Sequence, residues 1–243
     1  MKPITVMIVG STHKNMMDFA VATTIRNTPH IEDIVIFDEK KLKPNFNLKD
    51  YNHFALKNMW AFVKTEFVLV IQYDGMAANR SAWNDDFLKY DYVGAPWPDH
   101  FTWIGKDEKV GNGGFSLRSA KLLEALRDPI IYPKEDPRFA NEDATICQGY
   151  SKYLQTKHGI KYAPVELANA FSHEWCNPTG ETFGFHGVWN FPLFFDEKTV
   201  IEYLLDIPKN HWYNDRYQMF MENCQKRGYQ KAFELVTERL KND

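Results

Sequence analysis

Hydrophobic positions fall into three kinds of run along the chain. The most continuous is Phe-Val-Leu-Val-Ile-Gln-Tyr-Asp-Gly at 67–75, apolar without interruption until a turn signal. A strand covered on both faces reads this way, because neither face meets water. Two shorter β-branched runs precede it, at 4–9 and 34–37, the first ending in Gly10-Ser11-Thr12 and the second at Asp38. Between them, Met16, Phe19, Ala20 and Ile25 recur at helical spacing over about 15–26, and Thr28-Pro29 stops the helix. Strand, helix, strand in so short a stretch is the βαβ pattern of a parallel sheet. Residues 51–63 carry Phe54, Met59, Trp60 and Phe62 on a helix that delivers the chain to the strand at 67.

Downstream the pattern predicts a short helix at 82–88, a short strand at 92–95 and a strand at 115–118. A helix capped by Ser119 follows at 119–126, then a proline-rich loop at 128–138. Ala144, Ile146, Cys147, Tyr150 and Leu154 form an apolar stripe on a helix entered at Asn141. Residues 161–171 read as a strand pair or extended segment. Helices are expected at 199–205, 215–225 and 229–240, covering the sheet or forming a homodimer contact. The whole predicts one α/β domain, 1–243, with a mostly parallel central sheet flanked by helices and C-terminal helices added. It divides into a part at about 1–95, a second at about 96–190 and a helical part at about 195–243.

Composition narrows the partners. A formal charge of −3 over 243 residues leaves no electrostatic footprint for nucleic acid or an anionic membrane. Aromatic residues make up 15% of the chain, several in glycine- or proline-rich segments such as Pro96-Trp97-Pro98, where faces suited to sugar rings would stand. Three cysteines without metal-type spacing read as reduced thiols of a cytosolic protein. No apolar run approaches the length of a membrane span. The expectation is a cytoplasmic protein, peripheral at the membrane if its substrate is lipid-linked.

Four features carry chemistry. Asp74 sits where a buried strand leaves the core, and ligands of open α/β sheets bind at that end, though Asp-Gly is also a common turn. Gly111-Asn112-Gly113-Gly114 places three glycines in four residues, which suits a backbone passing close to a ligand or a tight turn. Glu142 and Asp143 follow the cap residue Asn141. They stabilise a helix start through its dipole, or one of them is a general base. His186, between glycines and phenylalanines, is a metal ligand or a satisfied structural histidine. The first loop, Gly-Ser-Thr-His-Lys, lacks the spaced glycines of a dinucleotide fold.

In that order, these features resemble the GT-A class of nucleotide-sugar glycosyltransferases, in particular a branch found in bacteria and large viruses. The resemblance covers about residues 3–187 and implies a GT-A-like (Rossmann-like) fold. The class's Asp-x-Asp metal motif corresponds to Gln72-Tyr73-Asp74, with the first acid replaced, so Asp74 is the implied ligand of Mn²⁺ or Mg²⁺ and His186 completes the site. Asp143, then Glu142, is the implied base of an inverting transfer; a retaining mechanism leaves that role unfilled. Few basic residues stand near these motifs, so a metal rather than an arginine clamp is expected to stabilise the departing diphosphate. Nucleotide contacts are expected from Gly10, Ser11, Thr12, His13, Asp38, Gln72, Tyr73 and Asp74, with Asp38 accepting from the base. Trp97, Asn112, Gly113, Gly114 and Glu174 are expected at the donor sugar and acceptor. The resemblance implies a UDP-sugar by default, GDP or TDP alternatively, and a glycan or lipid-linked saccharide acceptor. Two rivals stand beside it: a non-catalytic nucleotide-sugar or carbohydrate binder, and a metal-dependent phosphohydrolase.

Overall fold

A computed structural model describes residues 2–10, 13–41, 43–105, 109–133, 136–176, 180–204, 207 and 214–241. Ser11 and Thr12 lie outside the described residues.

The first unit is β1 (Ile4–Val9), α1 (Lys14–Asn27) and β2 (Ile31–Phe37), with β1 and β2 parallel and β1 buried against the helix. Helix α2 (Leu48–Lys57) starts at a capping box: Asn47 Oδ1 accepts from the amides of Lys49 and Asp50, and the Asp50 carboxylate accepts from Asn47 N–H. Strand β3 (Phe67–Ile71) is buried at every residue, as its unbroken apolar run predicts, and pairs parallel with β1. A tight reversal follows, in which Gln72 and Gly75 exchange backbone hydrogen bonds, and β4 (Gly75–Ala77) leaves the main sheet. Strands β5 (Tyr92–Gly94) and β6 (Ser116–Ser119) complete the order β2-β1-β3-β6-β5. β6 runs antiparallel to both neighbours, so the sheet is mixed, with the other four strands pointing one way.

Helix α3 (Ala120–Ala125) is capped by Ser119, whose Oγ accepts from Leu122 N–H. The helix expected from Asn141 is interrupted: α4 (Glu142–Ala144) passes through a π-helical turn, Thr145–Gly149, before α5 (Ser151–His158). Residues 165–171 form helix α6 (Val165–Phe171) where an extended segment was expected; Pro164 starts it, and Ala168 and Phe171 bury one face. The short helix expected at 82–88 is two 3₁₀ turns, because Asn79 and Asn84 side chains accept from the amides two residues on.

A second sheet, ordered β4-β8-β7, contains β7 (Ser172–His173) and β8 (Gly184–His186). The chain ends in α7 (Phe191–Phe194), α8 (Glu197–Leu204), α9 (Asn214–Arg227) and α10 (Gln230–Lys241). Val200, Phe220, Cys224, Ala232 and Val236 of these helices join the main apolar core with β1, β3 and Phe185 of β8. The C-terminal helices thus cover the core. Among the described residues no helix is long and apolar enough to cross a membrane, and all three cysteines are free thiols.

Candidate active site

The small sheet brings Asp74 and His186 together. Asp74 lies at the tip of the reversal between β3 and β4, and β4 pairs antiparallel with β8 so that Gly75 faces His186. Gly187 N–H then donates to Asp74 O at 2.8 Å, fixing the turn to the end of β8. As a result His186 Nε2 stands 3.5 Å from Asp74 Oδ1 and 3.2 Å from Gln72 Oε1, while Nδ1 contacts Glu174 Oε1 at 2.8 Å. Burial disfavours a charged imidazole, but Asp74 and Glu174 outweigh it and push the His186 pKa up to about 10. The two carboxylates therefore favour the charged form of the imidazole.

A cavity of about 560 Å³ opens beside this cluster, lined by Gln72, His186, Glu174, the Asn112–Gly114 loop and Asp143. The loop passes between two side chains. A Cβ on Gly114 would collide with the His186 ring, and one on Gly113 with the Glu142 carboxylate, so both positions need glycine for close approach. Asn112 takes a left-handed conformation (φ 61°) and its Oδ1 accepts from Gly114 N–H.

The two acids of α4 behave differently. Glu142 is buried and forms an ion pair with Arg118 at 2.9 Å, beneath the loop. Burial and Asp143 raise its carboxyl above the usual range, with Arg118 acting the other way. Asp143 is half-buried, accepts from Gly113 N–H at 3.0 Å through Oδ2 and from Ala144 N–H at 2.7 Å through Oδ1, and faces the cavity. A carboxylate has about four lone-pair sites, so capacity remains to take a proton. Asn141 precedes α4 as expected but makes no side-chain cap.

A second cavity, about 380 Å³, is lined by Ile8, Gly10, Met17, Glu39, Phe46 and Tyr73, and shares Leu48, Tyr51 and Gln72 with the first. His13 packs its ring 4.8 Å from that of Tyr73 at the start of α1. Asp38 is not among the described lining residues: its Oδ1 accepts from Lys40 N–H, and the following Glu39 faces the cavity instead.

Three groups at the larger cavity escape sequence reasoning. Trp97, singled out for its Pro-Trp-Pro context, is joined by Trp103, Phe101 and Trp175: Trp97 and Trp103 centroids are 5.5 Å apart, Phe101 stacks on Trp103 at 5.9 Å, and Trp175 lies 6.1 Å from Phe101. Tyr51, from α2, walls both cavities. Arg138 and Arg216 also line the first cavity, so the expectation of few basic residues near the motifs is corrected. Both were hidden because their loop and helix reach the site only through tertiary packing. Among the described residues no three His, Cys, Asp or Glu side chains converge as a metal cage.

The family model described as "Protein of unknown function (DUF5672)" matches residues 33–186. No curated protein matches the sequence. Among solved structures, a glycosyltransferase involved in the glycosylation of the major capsid of PBCV-1 aligns with a TM-score of 0.50 and 14% identity, over 76% of this chain and 92% of that one. The apo-form glycosyltransferase GlyE of Streptococcus pneumoniae TIGR4 aligns at 0.47 and 11%, over 93% of this chain and 64% of that one. A197 from STIV aligns at 0.36 and 15%, over 66% and 80%. At such identities the first likeness shows a shared fold, a glycosyltransferase-like α/β architecture.

Proposed function

The chain belongs to the DUF5672 family, and we propose that it is a metal-dependent, inverting glycosyltransferase of the GT-A class acting on a nucleotide-sugar donor. The observation that carries this reading is the meeting of Asp74 and His186 across the β4–β8 pair, 3.5 Å apart, beside a cavity that His186 and Asp143 both line. The nucleoside occupies the smaller cavity, with uridine the first choice of base. The diphosphate crosses at Gln72–Asp74, and the transferred sugar enters the larger cavity. The acceptor is a saccharide, free or lipid-linked, stacked along Trp97, Phe101 and Trp103.

The donor set fits a hard divalent cation. Asp74 and His186 would hold Mn²⁺ or Mg²⁺, with Gln72 Oε1 beside them, and Glu174 on Nδ1 would leave Nε2 free to ligate. Two protein ligands would leave room for phosphate oxygens and water. When bound, such a cation supplies charge to stabilise a departing diphosphate. Asp143 takes the proton of the acceptor hydroxyl as it attacks the anomeric carbon. Glu142, neutralised by Arg118, holds α4 in place beneath it.

Incubation with Mn²⁺, a panel of UDP-, GDP-, ADP- and TDP-sugars and simple saccharides tests the reading. Release of nucleoside diphosphate from one donor family, with little cleavage of simple phosphate esters, is expected. Binding without turnover supports a non-catalytic binder instead, and preferential cleavage of phosphate esters supports a phosphohydrolase.

A further inference from the structure

Asn52 lies on α2, one residue past Tyr51, and is 3% exposed. Its side chain reaches the start of α4: Nδ2 donates to Ala140 O at 3.0 Å, and Oδ1 accepts from Glu142 N–H at 3.2 Å. The carboxamide thus grips the chain on both sides of Asn141, and the carbonyl and amide that it meets fix which of its ends is oxygen.

Such a grip matters because α4 cannot hold itself. It is three residues long, too short for the hydrogen-bond ladder that steadies a helix, and the chain passes directly from it into the π-helical turn at Thr145–Gly149. Asn141, the cap that the local sequence offers, makes no side-chain cap, so Asn52 supplies one from 90 residues away. The two acids of α4 are held differently: Glu142 is fixed by Arg118 beneath the loop, whereas Asp143 faces the cavity and its carboxylate meets the Gly113 amide at 3.0 Å. A carboxylate tied at its tip to one loop amide keeps its place only if its own backbone is fixed, and Asn52 fixes the residue immediately before it. The same turn of α2 carries Tyr51, a wall of both cavities.

Building on the transferase reading, we propose that Asn52 is the positioning residue for Asp143, holding α4 so that the carboxylate stands where the acceptor hydroxyl gives up its proton. Asn52 itself takes no part in the proton transfer. Its effect therefore belongs in the rate of the chemical step rather than in binding, because a base displaced by about 1 Å can cost about 100-fold in rate.

The test compares Asn52→Ala with Ser119→Ala, which removes the cap of α3, where Ser119 Oγ accepts from Leu122 N–H at 3.0 Å. With Mn²⁺ and the donor that wild type turns over fastest, kcat for nucleoside diphosphate release per folded molecule is expected to fall about 10- to 100-fold in Asn52→Ala. Donor affinity by calorimetry should stay unchanged, and hydrogen exchange at Glu142 N–H should accelerate. Ser119→Ala is expected to lose thermal stability and keep the wild-type kcat. A wild-type kcat in Asn52→Ala overturns the proposal while leaving the transferase reading intact. A kcat loss shared equally by Ser119→Ala, or one accompanied by an equal loss of donor affinity, overturns it too, assigning Asn52 to general support of the fold. Should Asn52→Ala not fold, Asn52→Asp keeps an acceptor for Glu142 N–H and offers Ala140 O no donor: a lower kcat at unchanged donor affinity supports the proposal, and a wild-type kcat overturns it. If wild type releases no diphosphate from any donor, the transferase reading itself fails and the positioning role with it.

Discussion

On one side of the Asn112–Gly114 loop, Arg118 meets Glu142 at 2.9 Å, with side chains 0% and 6% exposed. On the other, His186 stands between Glu174 at 2.8 Å and Asp74 at 3.5 Å, with 18% of its side chain open to water. Both are buried clusters of charge, and the same loop seals both. In the first, Arg118 spends Nε on Ser116 Oγ and Nη2 on Glu142 and Gly113 O, with the Tyr92 ring 5.5 Å away; Nη1 has no hydrogen-bond partner. Its charges neutralise each other beneath the loop. In the second, two carboxylates converge on one imidazole at the cavity wall, an excess of negative charge aimed where a ligand can reach. On the proposed reading, the adjacent acids Glu142 and Asp143 divide between a supporting and a working role on this basis.

The widest gap between the clusters should appear in stability. Arg118→Met strands the Glu142 carboxylate, and breaking a buried pair in this way costs about 3–5 kcal/mol, read from the denaturation midpoint. Adding Glu142→Leu should recover most of it. A loss below about 1 kcal/mol, small for any buried pair, would show that the pair is not structural.

Next in size is a pH effect in the small sheet. His173 on β7 neighbours β8, yet burial pushes its pKa down to about 4 from an ordinary 6.5. The folded state therefore resists a proton that the unfolded chain accepts: the contribution is complete above pH 6.5 and is lost as pH falls toward 4. By linkage the loss approaches about 3 kcal/mol. His173→Gln should flatten this part of the pH–stability curve; an unchanged slope would assign the acid sensitivity elsewhere.

Smaller effects distinguish the two faces of the loop. Gly113→Ala presses on Glu142 and Gly114→Ala on His186, each at about 1–3 kcal/mol of overpacking. Gly114→Ala should lower donor turnover beyond what its stability loss explains, and Gly113→Ala should not. The smallest effect is expected at the aromatic wall. Trp103→Ala should raise the acceptor KM several-fold, about 1 kcal/mol for one lost stacking contact, and leave donor affinity unaltered.

Much of the architecture was legible because burial on two faces leaves a strong signal: the run at 67–71 could be little else than a central strand, and its Asp-Gly ending marked the turn that carries Asp74. The glycines at 113 and 114, expected where the backbone passes close to a ligand, pass close to the protein's own Glu142 and His186. Other features left no local trace. The π-helical turn at Thr145–Gly149 shifts backbone pairing without altering the apolar spacing. At the end of β2, a one-residue offset in the 3₁₀ turn turns Glu39 rather than Asp38 toward the cavity. Arg118 reads as an unremarkable end to a strand, since its partner lies 24 residues on. Arg216 gains its place only when α9 packs against the turn at Val188–Asn190.

The central claim is that Asp143, at the open side of the loop, performs the chemistry. Asp143→Asn keeps the side chain's shape and removes its capacity as a base, so nucleoside diphosphate release with Mn²⁺ and acceptor should fall by about 10²–10⁴-fold, the usual contribution of general base catalysis, at unchanged donor affinity. Turnover by Asp143→Asn equal to wild type would contradict the account, as would a wild-type protein that releases no diphosphate from any donor.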